Sequence, residues 1–293
     1  MTSLWSSTDF PYFCLRDRQR TRALESAINA TVRPGDVVLD AGAGTGILAL
    51  LAAREGARRV FAVEIDPVLC DHLRRTVAAN RLEHVIMVSQ DDARNFAGAE
   101  VSVLTIELVE TGLIDEGLIE VWNGLVAAGV VTAETRCIPA GYVTYLQFGY
   151  ADPSFYGFSI DALRHDWSYY DHDPRAWEPS RFIPLGHRQP VWSASLAGRP
   201  VDPEVRARIR VPDTADPVNA LRLTGILDLP GYGPFADSPT LSGPKIIPVA
   251  LPVDRPPELE VSYTMSGGYA TFACRPWVPA TLVPEPELTT PWS

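Results

Sequence analysis

Lysine is nearly absent: Lys245 is the only one in 293 residues. The other basic side chains are arginines, and that bias carries no functional weight by itself. Acidic side chains outnumber basic ones, 36 against 25, giving a formal net charge of −11. Nucleic-acid binding normally leaves a basic face, so that partner class is disfavoured. A cationic ligand is favoured, because an acidic cleft concentrates it. Cysteine is scarce as well. Cys14, Cys70, Cys137 and Cys274 lie far apart, with no CxxC and no His/Cys cluster. Neither a structural zinc site nor a disulfide framework is expected. No apolar run approaches the roughly 18 residues of a membrane helix. The stretch "MTSLWSSTDF" has neither a basic n-region nor an apolar h-region. The expectation is a soluble, cytoplasmic protein without metal, membrane or nucleic-acid partner.

The hydrophobic fraction, 46%, is enough for a sizeable core. Composition shifts near residue 138, which divides the chain into segments 1–138 and 139–293. In the first, strand-like runs ("DVVLDAG", "RVFAVEID", "VIMVSQ", "VSVLTIE") alternate with helical ones ("GILALLAAREGA", "PVLCDHLRRTVAANRL"). Alternation of this kind predicts an α/β domain with a parallel, doubly wound sheet. In the second, proline is frequent and short strands follow one another: "GYVTYLQFG", "VWSASLAG", "VRARIRV", "NALRLTGILDL", "IIPVALPV", "LEVSYTM", "YATFACR". That pattern predicts a sandwich or barrel. The tail "VPEPELTTPWS" reads as a loose extension.

The first chemical motif is "LDAGAGTG", where Gly42, Gly44 and Gly46 separate a strand from a helix. Glycines there let the backbone approach a ligand, and the N–H groups of the helix face it. The spacing is GxGxG rather than the dinucleotide GxGxxG, and Asp40 precedes it. Glu64 ends the second strand, where an acid can hold two ribose hydroxyls. Together these residues resemble class I S-adenosylmethionine (SAM) methyltransferases. In such enzymes an acid after the third strand accepts from the adenine amino group. "SQDDARNF" offers Asp92, with Ala93 beside it, and Asp91 as the alternate.

The likeness narrows further. "VLDAGAGTGILALLAAREGARRVFAVE" is similar to the corresponding run of protein arginine methyltransferases, and "LRDRQRT" resembles that family's "LxDxxRT". "YGFSIDALRH" resembles its "YGFDM" stretch inside a β-barrel domain. The resemblance implies that Arg20 pairs with the SAM carboxylate, as a bidentate guanidinium can. The segment before Arg20 is short for the family, with Tyr12 and Phe13 available to cover the adenosine. The family also carries two glutamates nine residues apart after the fourth strand, and Glu107 and Glu116 in "TIELVETGLIDEGL" have that spacing. Two carboxylates can hold a guanidinium in fork geometry and stabilise the charge moving onto it. Glu110 and Asp115 read as solvated or capping residues.

One departure stands out. The family's Thr-His-Trp loop maps to "SPTLSGPKIIPVAL", where Thr240 matches but Leu241 and Ser242 replace His and Trp. The implied substrate is therefore free arginine or a guanidine-bearing small molecule at least as much as a protein arginine. "LRHDWSYYDHDPRAW", with His165 and His172, falls where the family has a dimerisation arm, about 155–178; a homodimer is preferred there to a metal site. The function expected is SAM-dependent N-methylation of a cationic substrate. The alternatives are methylation of another N or O nucleophile, or a non-catalytic SAM-binding subunit.

Overall fold

The computed structural model describes residues 5–165, 181–251 and 256–277. Its first half is built on five parallel strands: β1 (Val37–Ala41), β2 (Arg59–Glu64), β3 (Ile86–Gln90), β4 (Val103–Ile106) and β5 (Arg136–Ile138). They lie in the order β3-β2-β1-β4-β5. The chain steps from β1 outward through β2 and β3, then returns to the other side of β1. Open α/β sheets bind ligands at the carboxyl ends of the strands flanking such a switch. All four residues of β4 are buried, as expected where helices cover both faces. The last strand, β5, is three residues long and carries no pattern of its own; it was not anticipated from the sequence.

Five helices accompany the sheet: α1 (Phe10–Arg16), α2 (Arg18–Thr31), α3 (Ile47–Arg54), α4 (Pro67–Ala79) and α5 (Leu118–Ala127). Along α2, Arg20, Ala23, Leu24, Ala27, Ile28 and Thr31 are buried, an i, i+3, i+4 stripe on one face. Asp17 caps this helix by accepting from the Arg20 backbone N–H at 3.0 Å. That cap places the only charged residue of the stripe, Arg20, at the first turn and turned inward.

The second half is antiparallel. A long strand, β6 (Gly141–Ala151), pairs with Phe182–Pro184, Gln189–Ser195 and Ala220–Leu229. Ala220–Leu229 continues to Lys245–Pro248, and a separate sheet joins Glu204–Arg210, Glu258–Thr264 and Ala273–Pro276. The result is a curled, half-barrel sheet after a Rossmann-like domain. Five of the seven expected strands form largely as read, and "IIPVALPV" is strand only to Pro248. "YATFACR" is strand only from Ala273; Tyr269–Thr271 is a 3-10 turn. The reason is local: Thr271 Oγ1 donates to the Gly268 carbonyl at 2.9 Å and closes a turn instead of extending.

One hydrophobic core runs through both halves. Trp122 of α5 is fully buried and donates its indole N–H to the Arg199 carbonyl at 2.8 Å, linking the helix to the half-barrel side. No helix among the described residues is long and apolar enough to cross a membrane. No group of three or more His, Cys, Asp or Glu among them could hold a metal ion. Trp167, Tyr169, Tyr170 and His172 of the expected arm, and the "VPEPELTTPWS" tail, lie outside the described residues.

Candidate active site

The turn after β1 is a backbone device. Gly42, Gly44 and Gly46 have φ of +78°, +53° and +84°, a region that side chains rarely adopt. A Cβ on Gly42 would strike Leu108, and one on Gly46 would strike Leu73, at 2.5 and 2.1 Å. A Cβ on Gly44 would meet nothing within 4 Å. The first and third glycines therefore allow close packing, while the middle one borders open space.

Two acids close this turn. Glu64 accepts from Gly44 N at 2.7 Å and from Asp66 N at 2.9 Å. Asp40 is 1% exposed and accepts from Thr105 Oγ1 at 2.7 Å. Burial, with the charges of Glu64 and Glu107 added, pushes its carboxyl up to about 6. Its other oxygen is buried towards the first turn of α3, where the Ala49 backbone N–H opposes the upward shift. Asp66 caps α4 and also accepts from Ser6 N at 2.8 Å, which brings the N-terminal 3-10 turn Trp5–Ser7 beside Glu64. Tyr12 on α1 is 60% exposed.

Arg20 and Glu107 meet. The Arg20 guanidinium forms an ion pair with Glu107 at the end of β4, and both side chains are buried or nearly so. Burial opposes the arginine's charge, but the carboxylate more than offsets it, so its pKa is raised. Burial also pushes the Glu107 carboxyl up, and Arg20 draws it back. The Arg20 Nε is buried and unpartnered, which leaves a donor for a further carboxylate.

The loop after β4 departs from its sequence reading. Glu110 is not solvated; it is 5% exposed and ion-paired with Lys245. Asp115 meets the same ammonium at 2.8 Å. The lone lysine, given no weight in the sequence, is fully buried in the middle of the acid loop, and its ammonium lies 5.1 Å from the centre of the Tyr269 ring. The sequence could not place it because its partners lie 130 positions or more away. Its uniqueness was the available signal.

Glu116 is different. Among the described residues no cation pairs with it. Burial, then the charges of Glu107 and Glu110, push its carboxyl up to about 8, against the opposing pull of Lys245 and Arg20. The half-barrel pins the loop around it. Tyr263 Oη donates to the Gly112 carbonyl at 2.9 Å, Ser266 Oγ to the Glu116 carbonyl at 2.9 Å, and Ser266 N to the Leu113 carbonyl at 2.9 Å. Gly112 N donates to Tyr142 Oη at 3.2 Å.

The substituted barrel loop also has a partner. Asp17 Oδ2 accepts from Ser238 Oγ at 2.7 Å, Thr240 N at 2.9 Å and Thr240 Oγ1 at 2.8 Å. Two hydroxyls of this loop thus meet the acid that caps α2, and Leu241 and Ser242, which stand where the family has His and Trp, are buried. Asp17 was legible as the acid of "LRDRQRT". Asp92 is engaged by a neighbour: its Oδ2 accepts from the fork of Arg94 at 2.9 and 2.5 Å, while Ala93 is buried beside it. Asp91 Oδ1 accepts from Asp92 N at 2.7 Å.

Residues 15–111 match the family model described as the TRM5/TYW2 methyltransferase domain. An uncharacterized protein of Methanocaldococcus jannaschii is 30% identical over 172 residues, 59% of this chain and 61% of that protein. An arginine N(omega)-methyltransferase of Streptomyces achromogenes is 40% identical over 111 residues, 36% of this chain and 30% of that protein. The chain thus spans less than two thirds of either relative. The Trypanosoma brucei PRMT1 enzyme–prozyme heterotetrameric complex with AdoHcy superposes with a TM-score of 0.65 at 18% identity, over 89% of each chain. Arabidopsis thaliana protein arginine methyltransferase 10 does so at 0.63 and 17%, over 90% of this chain and 88% of that one. The glycine turn bordering open space and the unpartnered Arg20 Nε fit a nucleoside bearing a carboxylate. Residues 15–111 accordingly resemble a methyltransferase domain, one that uses S-adenosylmethionine, and the chain as a whole shares the fold of these arginine methyltransferase structures.

Proposed function

We propose that this protein methylates a guanidinium nitrogen. The observation that carries the reading is Glu116. Of the four acids in its loop, Glu107 has Arg20, and Glu110 and Asp115 share Lys245; among the described residues Glu116 is left with two neighbouring negative charges and no cation in an ion pair with it. A planar cation lying between Glu107 and Glu116 would remove that repulsion and be oriented by their fork geometry.

Gly42, Gly44 and Gly46 would admit the nucleoside, Asp40 and Glu64 would hold its polar edge, and Arg20 Nε would take its carboxylate. Asp92 and Ala93 would border the adenine. When bound, S-adenosylmethionine supplies an electrophilic methyl group and leaves as S-adenosylhomocysteine. Glu107 and Glu116 hold the nucleophile's N–H groups and favour the positive charge as it arrives. The methylated nitrogen then sheds a proton, and Glu116, whose carboxyl takes up protons near neutrality, is placed to receive it.

A small guanidine, free arginine included, suits the site at least as well as a protein arginine. Leu241 and Ser242, buried, stand where the family has His and Trp, and one relative is named for arginine itself. The exposed Tyr156 and Phe158, 90% and 71% accessible, support pairing of two copies. The test is incubation with SAM and, separately, L-arginine, small guanidines and Arg-rich peptides, read by mass. One or more +14 Da products with release of S-adenosylhomocysteine are expected. Methylation of an amine or hydroxyl substrate alone would overturn the guanidinium reading, and no turnover with any substrate would favour a binding subunit.

A further inference from the structure

Lys245 sits at the start of the half-barrel strand Lys245–Pro248, with no exposed surface. Burying an ammonium is costly unless it is paired. Its two partners are Glu110 and Asp115, which stand at the two ends of the turn 111–114. Glu110 also reaches across that turn: its Oε1 accepts from Asp115 N at 2.8 Å. Thr111 Oγ1 donates to the carbonyl of Gly243, two residues before the lysine, at 2.5 Å. The turn that separates Glu107 from Glu116 is thus folded around one buried cation from the other half of the molecule.

The arrangement divides the charges. Lys245 occupies Glu110 and Asp115 and leaves Glu116, the next residue, outside the pairing. Were the lysine neutral, Glu110 would be a buried acid without a cation, beside Glu107 and Glu116. We propose that Lys245 is a positioning residue of the substrate site: it closes the acid loop and sets the charge that Glu116 offers to an incoming cation. The inference rests on the reading of Glu107 and Glu116 as the substrate pair, but its mechanism acts on the empty site. The charged groups that bear on Glu116 are Glu107 at the end of β4, Glu110 in the loop, Arg20 from α2 and Lys245 from the half-barrel.

The experiment needs no substrate. The full chain is labelled at glutamate side-chain carboxyls and titrated by 13C NMR, with Glu116→Gln to assign the signal. In the parent protein Glu116 titrates well above the usual carboxylate range. Lys245→Met removes the cation at nearly constant volume and moves that titration upward by roughly one pH unit or more. Glu110→Gln keeps Lys245 paired with Asp115, removes one repelling charge, and moves it downward. This second variant decides the matter if Lys245→Met does not fold. Opposite shifts in the two variants, or the downward shift alone when only Glu110→Gln folds, support the assignment. A Glu116 titration that stays put in the folded variants overturns it. A purely structural lysine would alter melting without moving the Glu116 signal. Failure of every guanidine to be methylated would instead remove the functional reading and leave this result standing.

Discussion

The glycine turn after β1 is assembled by neighbours in sequence, whereas the acid loop after β4 is assembled by partners far away. Glu64 reaches Gly44 over 20 positions and Asp66 over two. Glu110, Asp115 and Gly112 depend on Lys245 and Tyr263, 130 to 151 positions distant. The first region is preorganised by backbone conformation. The second is a polar loop whose shape is imposed by another sheet. Loss of Lys245 or Tyr263 should therefore reach the acid loop first, and damage to the glycine turn the cofactor end.

The largest effect is expected from Glu107→Gln. Turnover should fall by about 10²–10³, the usual cost of losing one transition-state electrostatic partner. Since Arg20 loses its ion-pair partner, SAM affinity should change as well. A calorimetric titration with SAM beside the rate measurement separates the two. The glycine end is broken by Gly46→Ala. Its Cβ would lie 2.1 Å from Leu73 Cδ1, at a φ of +84°. The chain should lose about 2 kcal/mol by chemical denaturation, with weakened SAM binding. An unchanged SAM affinity would refute the role given to this turn.

Tyr263→Phe sharpens the comparison from the other side. It deletes the hydroxyl that holds the Gly112 carbonyl, at about 1 kcal/mol. The substrate KM or kcat should shift while SAM affinity does not. The smallest effect belongs to Arg94→Ala. Its ion pairs with Asp92 and Glu120 are largely exposed, so stability should move by less than about 1 kcal/mol. The same variant releases the Asp92 carboxylate, and a tighter SAM complex would support its adenine role.

This contrast also explains what was legible beforehand. Asp40, the three glycines and Glu64 could be read because strand, turn and helix lie within one stretch of chain. The α/β half was legible for the same reason, as alternating apolar runs. Glu107 and Glu116 were singled out by the spacing of the family they resemble, but their surroundings were not legible. Nothing local says that Arg20 meets Glu107 or that Glu110 is buried on a lysine. Glu110 and Asp115 read as solvated or capping, in a loop that contains no cation; Asp115 is half exposed and Glu110 is buried. The hydroxyls of Ser238 and Thr240 on Asp17 were likewise hidden, since a tertiary contact replaced a side chain whose absence was all the sequence displayed.

Protonation offers another handle on the acid loop. Glu116 has a folded-state pKa raised from 4.5 to about 8. The folded chain therefore binds more protons than the unfolded chain between those values, and this group's contribution to stability declines as pH rises across that window. Cation binding has the opposite sign, because it requires the ionised form. Glu116→Gln should remove both dependences. It is a cleaner variant than Glu107→Gln, because Glu116 forms no ion pair among the described residues.

The most direct measurement is the rate of methylation of the preferred guanidine by the parent protein and Glu116→Gln, from pH 6 to 9.5, with SAM affinity measured alongside. The expected result is a parent kcat/KM that rises roughly tenfold per pH unit up to about pH 8 and then levels, and a variant that is slow, lacks that limb and binds SAM normally. A Glu116→Gln protein that keeps the parent rate, or keeps the same rising limb, would contradict the account.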